Sequence, residues 1–325
     1  MEIILIKSYS DKPWRSHDTY QLIEKSLKEK WSVHSINTKN PMTLFGFIRR
    51  LQWIHRKKIF VFNIGEYLDE KNKVGFLPAL LDEMNIPYLG SSAESVEIGL
   101  NKGATKALLH KNGVPTPQYF LVNNQKYDKS ADVLKIGFPL IVKPVREGGH
   151  IGIGKDAVVF DDIGLNKSTH RIFDEYNQPA LVEQFITGPG MREFSVGIID
   201  GKTRLFTPIE IDFQSMNVRQ KILSYEMSQN DLERIKLVSD ERLRNLIIDL
   251  AERTFDIVGA TDYSRVDLRM DDSGCYVLEI NIMPGLGPKS FLPHAAKEIY
   301  GLEYSQFIQM MVKNSSLRQN LQVRR

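Results

Sequence analysis

Apolar positions near the N-terminus follow two different periods. Short apolar runs, EIILI from residue 2, SVHSI from residue 32 and KIFVFNIG from residue 58, predict three strands. Tyr20, Ile23 and Leu27 recur at helical spacing, a second helical stripe covers residues 44–54, and PALLDEMN predicts a third helix. Because strands alternate with helices, residues 1–93 are expected to form a Rossmann-like domain, a parallel sheet with helices on its faces.

The rest of the chain divides into two further units. In residues 94–178, a helical segment that ends at Gly113 precedes three extended segments, VPTPQYFLV, FPLIVKPV and AVVF, and a helix in a polar stretch. Residues 179–325 open with the strand ALVEQFI and include an amphipathic helix over residues 243–250. The last segment, NSSLRQNLQVRR, is polar and basic, which predicts a loose C-terminal tail.

Length, charge and cysteine content narrow the class of protein. A chain of 325 residues is too long for one ordinary core. The single cysteine, Cys275, excludes an intrachain disulfide framework and fits a reducing compartment. The N-terminal apolar run is followed at once by charge, unlike a signal peptide, and no segment suits a membrane span. We therefore expect a cytoplasmic protein, although the net charge of +3 identifies no partner.

The segments YSRVDLRM and CYVLEIN, separated by DDSG, predict a β-hairpin with its chemistry on one face. A three-residue loop ending at Gly274 would fix the register of the two strands. The opposed pairs would be Asp271 with Cys275, Asp267 with Glu279, and Arg265 with Asn281. The opposite face would belong to the core and would carry Val266, Leu268, Met270, Tyr276, Leu278 and Ile280.

Two carboxylates face each other in this register, which disfavours their ionisation unless a cation lies between them. Opposed Cβ atoms are roughly 5 Å apart. The oxygens of Asp267, Glu279 and Asn281 suit Mg²⁺, which completes its coordination with water and phosphate oxygens. On these residues alone, a solvated sheet face with Arg265 bridging the two acids is the alternative.

The segment LIVKPVREGGHIGIGK joins a strand that ends at Lys143 to a loop containing Gly148 and Gly149. Glycine-rich loops let backbone N–H groups approach a phosphate closely, and Lys143 and Lys102 could neutralise it. The segment is not a P-loop, because Asp156 stands where Ser or Thr is required and a strand follows. A hairpin turn with two exposed lysines is the alternative.

The apolar strand in ALVEQFITG ends in a mixed segment. A strand edge there could offer backbone groups of Glu183 and Ile186 to an adenine ring, and Glu193 could accept from ribose hydroxyls. Scattered acids at a strand end are the alternative for these residues.

Together these segments resemble the ATP-grasp superfamily, and within it the D-alanine–D-alanine ligases. The similarity covers most of the chain after about Phe62. It rests on IPYLGSSAESVEIGLNKGATKALLHKNGVPTPQYFLV, FPLIVKPVREGGHIGIGK, LVEQFITG and YSRVDLRMDDSGCYVLEINIMPGLGPKSFLP, whose order and spacing are specific although each block alone is not. The resemblance implies an α/β (α+β) ATP-grasp fold, with the N-terminal domain followed by two subdomains that clamp ATP.

The resemblance also implies a role for each candidate residue. ATP would be bound by Lys102, Lys143, Gly148, Gly149, Ile151, Glu183, Gln184, Phe185, Ile186 and Glu193. Two Mg²⁺ ions, for which Mn²⁺ could substitute, would be ligated by Asp267, Glu279 and Asn281. Catalysis would depend on Arg265 and Lys221, and substrate binding on Gly285, Ser290 and His150.

The implied activity is ATP- and Mg-dependent amide-bond formation between amino-acid-type substrates. A carboxylate attacks the γ-phosphate of ATP, and an amine then displaces phosphate from the acyl phosphate. Charge develops on oxygens in both steps, where Mg²⁺, Lys and Arg stabilise it.

The sequence departs from the D-alanine ligases where those enzymes recognise substrate. They have Ser-Ser where Gly149 and His150 stand, and a tyrosine where Ile222 stands. Neither KSYSDKPWRSHD nor FNIG matches their N-terminal glutamate and His-Gly motifs. We therefore expect the same reaction class on a different acceptor or donor, with His150 either a new substrate contact or a plain loop residue.

Other functions stay open at this point. The enzyme could load an amino acid onto a carrier protein or another non-peptide acceptor, or the chain could be a non-catalytic ATP-binding module. The basic segment RRLQWIHRKK, residues 49–58, is read as a solvated helix face rather than a nucleic-acid site, so no nucleic acid and no membrane are expected. The resemblance is also compatible with a homodimer.

Overall fold

The computed structural model describes residues 1–8, 15–55, 59–65, 74–125, 128–154, 156–216, 221–229 and 233–322. The first unit contains β1 (Glu2–Lys7), α1 (His17–Lys28), β2 (Ser32–Asn37), α2 (Pro41–His55), β3 (Ile59–Asn63) and α3 (Phe76–Glu83). Next come α4 (Ala93–Leu100), α5 (Lys102–Lys111), β4 (Tyr119–Val122), α6 (Ser130–Ile136), β5 (Leu140–Pro144), β6 (Val158–Val159), α7 (Asp162–Tyr176) and β7 (Ala180–Gln184). The last unit contains β8 (Arg192–Ile199), β9 (Leu205–Ile211), α8 (Tyr225–Gln229), β10 (Ile235–Leu237), α9 (Glu241–Val258), β11 (Tyr263–Asp271), β12 (Gly274–Asn281), α10 (Phe291–Tyr300) and α11 (Tyr304–Gln322).

The N-terminal sheet is parallel, as predicted, with strand order β2-β1-β3. Successive side chains of a strand point to opposite faces, so β1 contributes to two cores. Ile3 and Leu5 belong to the core that includes residues of α1 and α11, whereas Ile4 and Ile6 belong to the core that includes residues of α2 and α3. The parallel sheet is therefore covered on both faces.

A break at Asn101 divides the predicted helical segment before Gly113 into α4 and α5. The backbone of Asn101 is extended, with ψ of 95°, and its side chain accepts a hydrogen bond from the amide of Ala104. Asn101 is thus the N-cap of α5, which puts Lys102 at the first helical position. Val96 and Leu109 pack in the same core as α9, so both helices cover the third sheet.

The central sheet is antiparallel, with strand order β4-β7-β5-β6. β7 pairs with β4 on one side and with β5 on the other. The expected boundary at residue 179 would assign β7 to the third unit, but the structure puts this strand inside the central sheet. The third sheet accordingly begins with β8, at Arg192.

The third sheet has five antiparallel strands in the order β10-β9-β8-β11-β12. One face of β8, β11 and β12 packs against α9 through Phe194, Val266 and Ile280, together with Ile247 and Phe255 of the helix. The opposite face carries polar side chains over much of these three strands, whereas Ile199 and Tyr263 at its other end join the core that includes α10 and α11.

The β11–β12 hairpin has a tighter turn than predicted. Asp271 pairs with Gly274 instead of Cys275, so the loop contains two residues rather than three. A β-bulge then leaves Leu278 as the extra residue of β12, and from there to the strand end the register is the predicted one. Between turn and bulge the faces are exchanged, so Cys275 and Val277 lie in the core, and the core placement predicted for Tyr276 and Leu278 is wrong.

The predicted loose C-terminal tail is wrong as far as the described residues extend, because α11 continues to Gln322. Ser315 and Arg318 of this helix both donate to Asp262, a buried carboxylate that also accepts from the amide of Gly90 at 2.8 Å. Gln319 donates to the carbonyl of Tyr88. These polar contacts fix the C-terminal helix to the N-terminal unit, which charge composition alone could not indicate.

We expect Asp262→Ala to lower the free energy of unfolding by about 3 kcal/mol, because Arg318, Ser315 and the Gly90 amide would lose a buried anionic acceptor. Asp262→Asn is the matched control, since asparagine tolerates the positive φ of 66° and keeps one acceptor oxygen. Denaturant unfolding measures both. An alanine variant as stable as the wild type would contradict the assignment.

Candidate active site

The polar face of the third sheet carries a row of charged and hydrogen-bonding side chains across three strands. The row consists of Glu193 and Ser195 on β8, Arg265, Asp267 and Arg269 on β11, and Glu279 and Asn281 on β12. Opposed pairs are Arg265 with Asn281 and Asp267 with Glu279, as the sequence predicts. The bulge at Leu278 lies between these pairs and the turn, so the tighter turn does not disturb them.

Asp267 is held by two donors that lie on the same sheet. Arg265 makes a two-pronged ion pair with it, at 2.9 Å to Oδ1 and 2.7 Å to Oδ2, and the Ser195 hydroxyl donates to Oδ1 at 2.5 Å. A carboxylate offers about four lone-pair positions. These contacts occupy three, which leaves one position on Oδ2 for a further ligand.

Glu279 is a half-buried carboxylate that stays ionised. Lys102 Nζ lies 3.1 Å from Glu279 Oε2 and donates to the Glu147 carbonyl at 2.5 Å. Burial, the largest single influence, acts to raise the pKa of Glu279. The positive charges of Lys102, Lys143 and His150 outweigh it and lower that pKa to about 2.

Glu183 lies between two lysines inside the protein. Lys143 on β5 donates to one oxygen of its carboxylate, and Lys106 Nζ lies 2.7 Å from the other and 2.7 Å from Thr116 Oγ1. Burial acts to raise the pKa of Glu183, but the two lysines lower it below its usual value. The sequence reading missed Lys106, although its position one turn after Lys102 on α5 could have indicated it.

Arg269 is a second missed residue. Its guanidinium donates to the backbone carbonyl of Lys221 and lies over the Phe185 ring, with Cζ 4.5 Å from the centroid. Its Nε is 3.6 Å from Glu193 Oε2, and burial raises the pKa of Glu193 against that charge. Arg269 follows Asp267 by two residues, so the strand period could have found it.

The glycine-rich loop turns through two left-handed residues, Gly149 with φ of 62° and His150 with φ of 60°. A positive φ is uncommon for histidine and aims its side chain away from the usual direction. His150 Nε2 lies 3.8 Å from Glu233 Oε1, a buried oxygen without a hydrogen bond to the described residues. No sequence motif pointed to Glu233.

A cavity of about 420 Å³ gathers half of the predicted residues at one place. Its lining includes nine of them, namely Lys102, Gly148, Gly149, His150, Arg265, Glu279, Asn281, Gly285 and Ser290. Glu147 and Glu233 line it too, and α1 contributes Asp18, Thr19 and Leu22. All three units of the chain therefore border one space of a size typical for small-molecule sites.

Nine other predicted residues are not among the described residues that line this cavity: Lys143, Ile151, Glu183, Gln184, Phe185, Ile186, Glu193, Asp267 and Lys221. Lys143, Glu183 and Asp267 lie directly behind it through their ion pairs with one another or with lining residues. Lys221 instead borders a separate surface depression beside Arg192 and Glu210. Its catalytic role, implied by the family resemblance, therefore stays a prediction.

The segment predicted to contact adenine covers the end of β7 and the two residues after it. β7 is an interior strand, so the backbone of Glu183 pairs with strands on both sides. The amides of Gln184 and Phe185 donate to the carbonyls of Gln118 and Pro139. Phe185 packs with Ile222 and other apolar side chains in a small core cluster beside the site. The predicted contact of adenine with the backbone of Ile186, which follows the strand, stays a prediction.

The oxygen donors fit a hard divalent cation. Glu279 and Asn281 both open to the cavity, and Asp267 retains one lone-pair position. Carboxylate and amide oxygens are the ligands that Mg²⁺ prefers, with water and phosphate oxygens completing its shell. The two acids are not locked to each other, since each pairs with a different cation, Arg265 or Lys102.

Comparison with known proteins identifies the fold and the family. The fold is that of the ATP-grasp enzymes: the crystal structure of D-alanine–D-alanine ligase from Bacillus anthracis complexed with ATP superimposes with a TM-score of 0.79, covering 99% of each chain at 23% identity. A family model described as D-ala D-ala ligase C-terminus matches residues 108–313. The chain belongs to the D-alanine–D-alanine ligase family.

Curated relatives extend this similarity over most of the chain. D-alanine–D-alanine ligase from Syntrophotalea carbinolica is 31% identical over 249 residues, which is 75% of each protein. That from Pediococcus pentosaceus is 29% identical over 312 residues, 94% of this chain and 83% of the relative. The predicted enzyme class, an ATP-dependent ligase that forms carbon–nitrogen bonds, is confirmed. Among the described residues, no helix has the length and apolar character needed to cross a bilayer.

We expect Glu183→Gln to lower the free energy of unfolding by about 3 kcal/mol, because Lys106 and Lys143 would remain buried and charged without a carboxylate. Denaturant unfolding tests this. The double variant Glu183→Gln/Lys106→Met is the matched comparison and should recover part of the loss, since one buried cation is removed with the anion. A loss below about 1 kcal/mol in the single variant would show that the lysines do not depend on Glu183.

Proposed function

We propose that this protein is an ATP- and Mg-dependent carboxylate–amine ligase that joins amino-acid-type substrates through an acyl phosphate. The observation that carries the proposal is the convergence of Lys102, Arg265, Glu279 and Asn281 on one cavity, bordered by a glycine-rich loop. These are cations for phosphate and oxygens for a metal, placed next to each other in a member of a ligase family.

Two lysines would bind the phosphates of ATP. Lys102 reaches the cavity directly, and Lys143 lies behind it in an ion pair with Glu183. Because Glu183 also pairs with Lys106, its charge is shared, and Lys143 keeps attraction for an entering anion. A side chain added at Gly148 would meet nothing within 4 Å, so space is open there for phosphate oxygens near the loop backbone.

Glu279, Asn281 and the remaining lone pair of Asp267 would hold Mg²⁺, and Mn²⁺ is a reasonable substitute with the same donors. Bound Mg²⁺ neutralises charge on the phosphoryl oxygens during transfer. In the structure, Lys102 supplies a positive charge next to Glu279, where the metal ion would otherwise supply it. Nucleotide binding would let Lys102 exchange that carboxylate for phosphate.

Arg265 is fixed before substrate arrives. Asp267 holds its guanidinium from one side, and the Phe291 ring lies under it with Cζ 5.2 Å from the ring centroid. A cation that needs no reorientation stabilises oxyanions more than a mobile one. We assign Arg265 to the charge on the acyl phosphate and on the tetrahedral carbonyl that forms when the amine attacks.

The substrate carboxylate would lie between Gly285 and Ser290, both of which line the cavity beside Arg265. Ser290 is the N-cap residue of α10, yet its hydroxyl makes no capping hydrogen bond within the described part of the chain, whereas its amide donates to the carbonyl of Gly287. The hydroxyl and the N-terminus of α10 both favour an anion at this position.

His150 and Glu233 would recognise the amino group of one substrate. Glu233 presents a buried oxygen without a hydrogen bond to the described residues, beside His150 and facing the same cavity. A substrate ammonium group supplies the missing donor. Since the family's Ser-Ser pair is replaced by Gly149 and His150, we propose a substrate pair that differs from two D-alanines.

A carrier protein or another non-peptide acceptor is the alternative within the ligase class, and a non-catalytic ATP-binding module is the alternative outside it. The presence of Arg265 with all three metal-ligand positions favours a working enzyme.

A phosphate-release screen with Mg-ATP and pairs of D- and L-amino acids tests the proposal, with mass spectrometry to identify the product. We expect phosphate release that depends on two amino acids and a product that has lost one water. ATP binding without turnover for any pair, with or without carrier proteins, would support the binding-module alternative.

Glu279→Gln should lower kcat at least about a hundredfold while the fold is retained, because a neutral amide is a weaker ligand for Mg²⁺ and no longer attracts Lys102. Steady-state kinetics and thermal unfolding measure the two effects. Glu298→Gln on the exposed side of α10 is the matched control and should leave kcat unchanged. Normal turnover in the Glu279 variant would disprove the metal assignment.

Glu233→Gln should raise KM for one amino-acid substrate about tenfold and leave KM for ATP nearly unchanged, because only a substrate ammonium would lose its carboxylate partner. Steady-state kinetics with each substrate varied in turn separates the effects. An equal rise in KM for ATP would place Glu233 at the nucleotide instead.

A further inference from the structure

Three side chains that the ligase site does not use meet on the N-terminal sheet. Glu2 lies on β1 and shares a strand face with Ile4 and Ile6, the face covered by α2. His34 on β2 is the register partner of Ile4, so its side chain lies on the same face. His55 is the last residue of α2. Strand register and helix length thus bring together residues far apart in sequence.

The ligand atoms of the three residues lie within 4.8 Å of one another. His34 Nε2 is 2.9 Å from Glu2 Oε2, and His55 Nδ1 is 3.9 Å from Glu2 Oε1. The two imidazole rings are tilted at 45°, with centroids 5.4 Å apart. Each carboxylate oxygen therefore faces a different imidazole.

These positions are half-buried rather than freely solvated. Side-chain exposure is 19% for Glu2, 31% for His34 and 28% for His55. Burial limits the rotamers, and the opening leaves a path for a small ion.

Two imidazole nitrogens and one carboxylate oxygen form a donor set for zinc-like metals. In a tetrahedral site with bonds of about 2.0–2.2 Å, ligand atoms are separated by about 3.4 Å. One ligand atom from each of the three residues lies within 4.8 Å of the other two, so side-chain adjustments of about 1 Å would reach that spacing. Mg²⁺ and Ca²⁺ prefer six or more oxygens and would find one carboxylate here. A hydrogen bond between Glu2 and His34 alone would not account for the second imidazole, His55, beside the same carboxylate.

We propose that Glu2, His34 and His55 form a binding site for a divalent transition metal of the zinc class, with the fourth coordination position open to water. The bound ion would join β1, the edge strand β2 and the end of α2. It would be distinct from the metal ligands Asp267, Glu279 and Asn281, which offer only oxygens. The proposal does not depend on the ligase function.

Calorimetric titration of the untagged, chelator-treated full-length protein with ZnCl₂ tests the site, in excess Mg²⁺ so that oxygen-only positions are occupied. We expect one zinc ion per chain with micromolar or tighter affinity. His34→Gln and His55→Gln should each weaken binding at least about tenfold, because each removes one of three ligands. His110→Gln, which changes an exposed histidine on α5, is the matched control and should bind as wild type does.

Thermal unfolding of each variant without zinc establishes that it folds, and zinc should raise the midpoint for wild type and His110→Gln only. An anomalous difference map at the zinc edge would locate the ion. Affinity weaker than about 100 μM, or binding that survives both ligand substitutions unchanged, would overturn the proposal. Glu2→Gln gives an independent check if a histidine variant does not fold.

Discussion

Buried carboxylates must be matched by cations, and this requirement organises the centre of the molecule. Asp267 and Glu279 oppose each other on neighbouring strands, so a counter-ion for either has to come from somewhere else. Asp267 obtains Arg265 from its own strand, whereas Glu279 obtains Lys102 from the start of α5. The break at Asn101 that starts this helix is therefore as much a part of the site as the strands. The need for a positive charge beside Glu279 therefore also constrains where α5 begins.

The same principle continues into the central sheet. Lys143 comes from β5, Glu183 from the adjacent β7, and Lys106 from a helix that packs on the third sheet. Their ion pairs connect the central sheet to this helix, beside the proposed nucleotide site. A buried triad of this kind adds little net stability compared with apolar residues, but it fixes geometry. Under the proposed function, that geometry would serve phosphate binding.

The sequence predicted the elements with strong periodicity and the residues at motif positions. Strand period gave the N-terminal sheet and the pairs at Arg265 and Asp267, and the family resemblance gave the fold class. Periodicity could not reveal β7 in the interior of the central sheet, because strand order is a long-range property. It also misjudged α11, since the polar residues that suggested a tail bind Asp262 and Tyr88. Glu233 carries no local signal and became visible only through the cavity.

The hairpin shows how a correct pairing can follow from an incorrect turn. A three-residue loop without a bulge and a two-residue loop with one extra residue at Leu278 use the same number of residues between Asp267 and Glu279. Both therefore deliver the two acids opposite each other. The turn of the hairpin therefore does not determine how Asp267 and Glu279 face each other. Exchanging one turn type for the other would leave the positions of these two carboxylates unchanged. Sequence changes at the exposed turn can therefore accumulate without altering the arrangement of the candidate site residues.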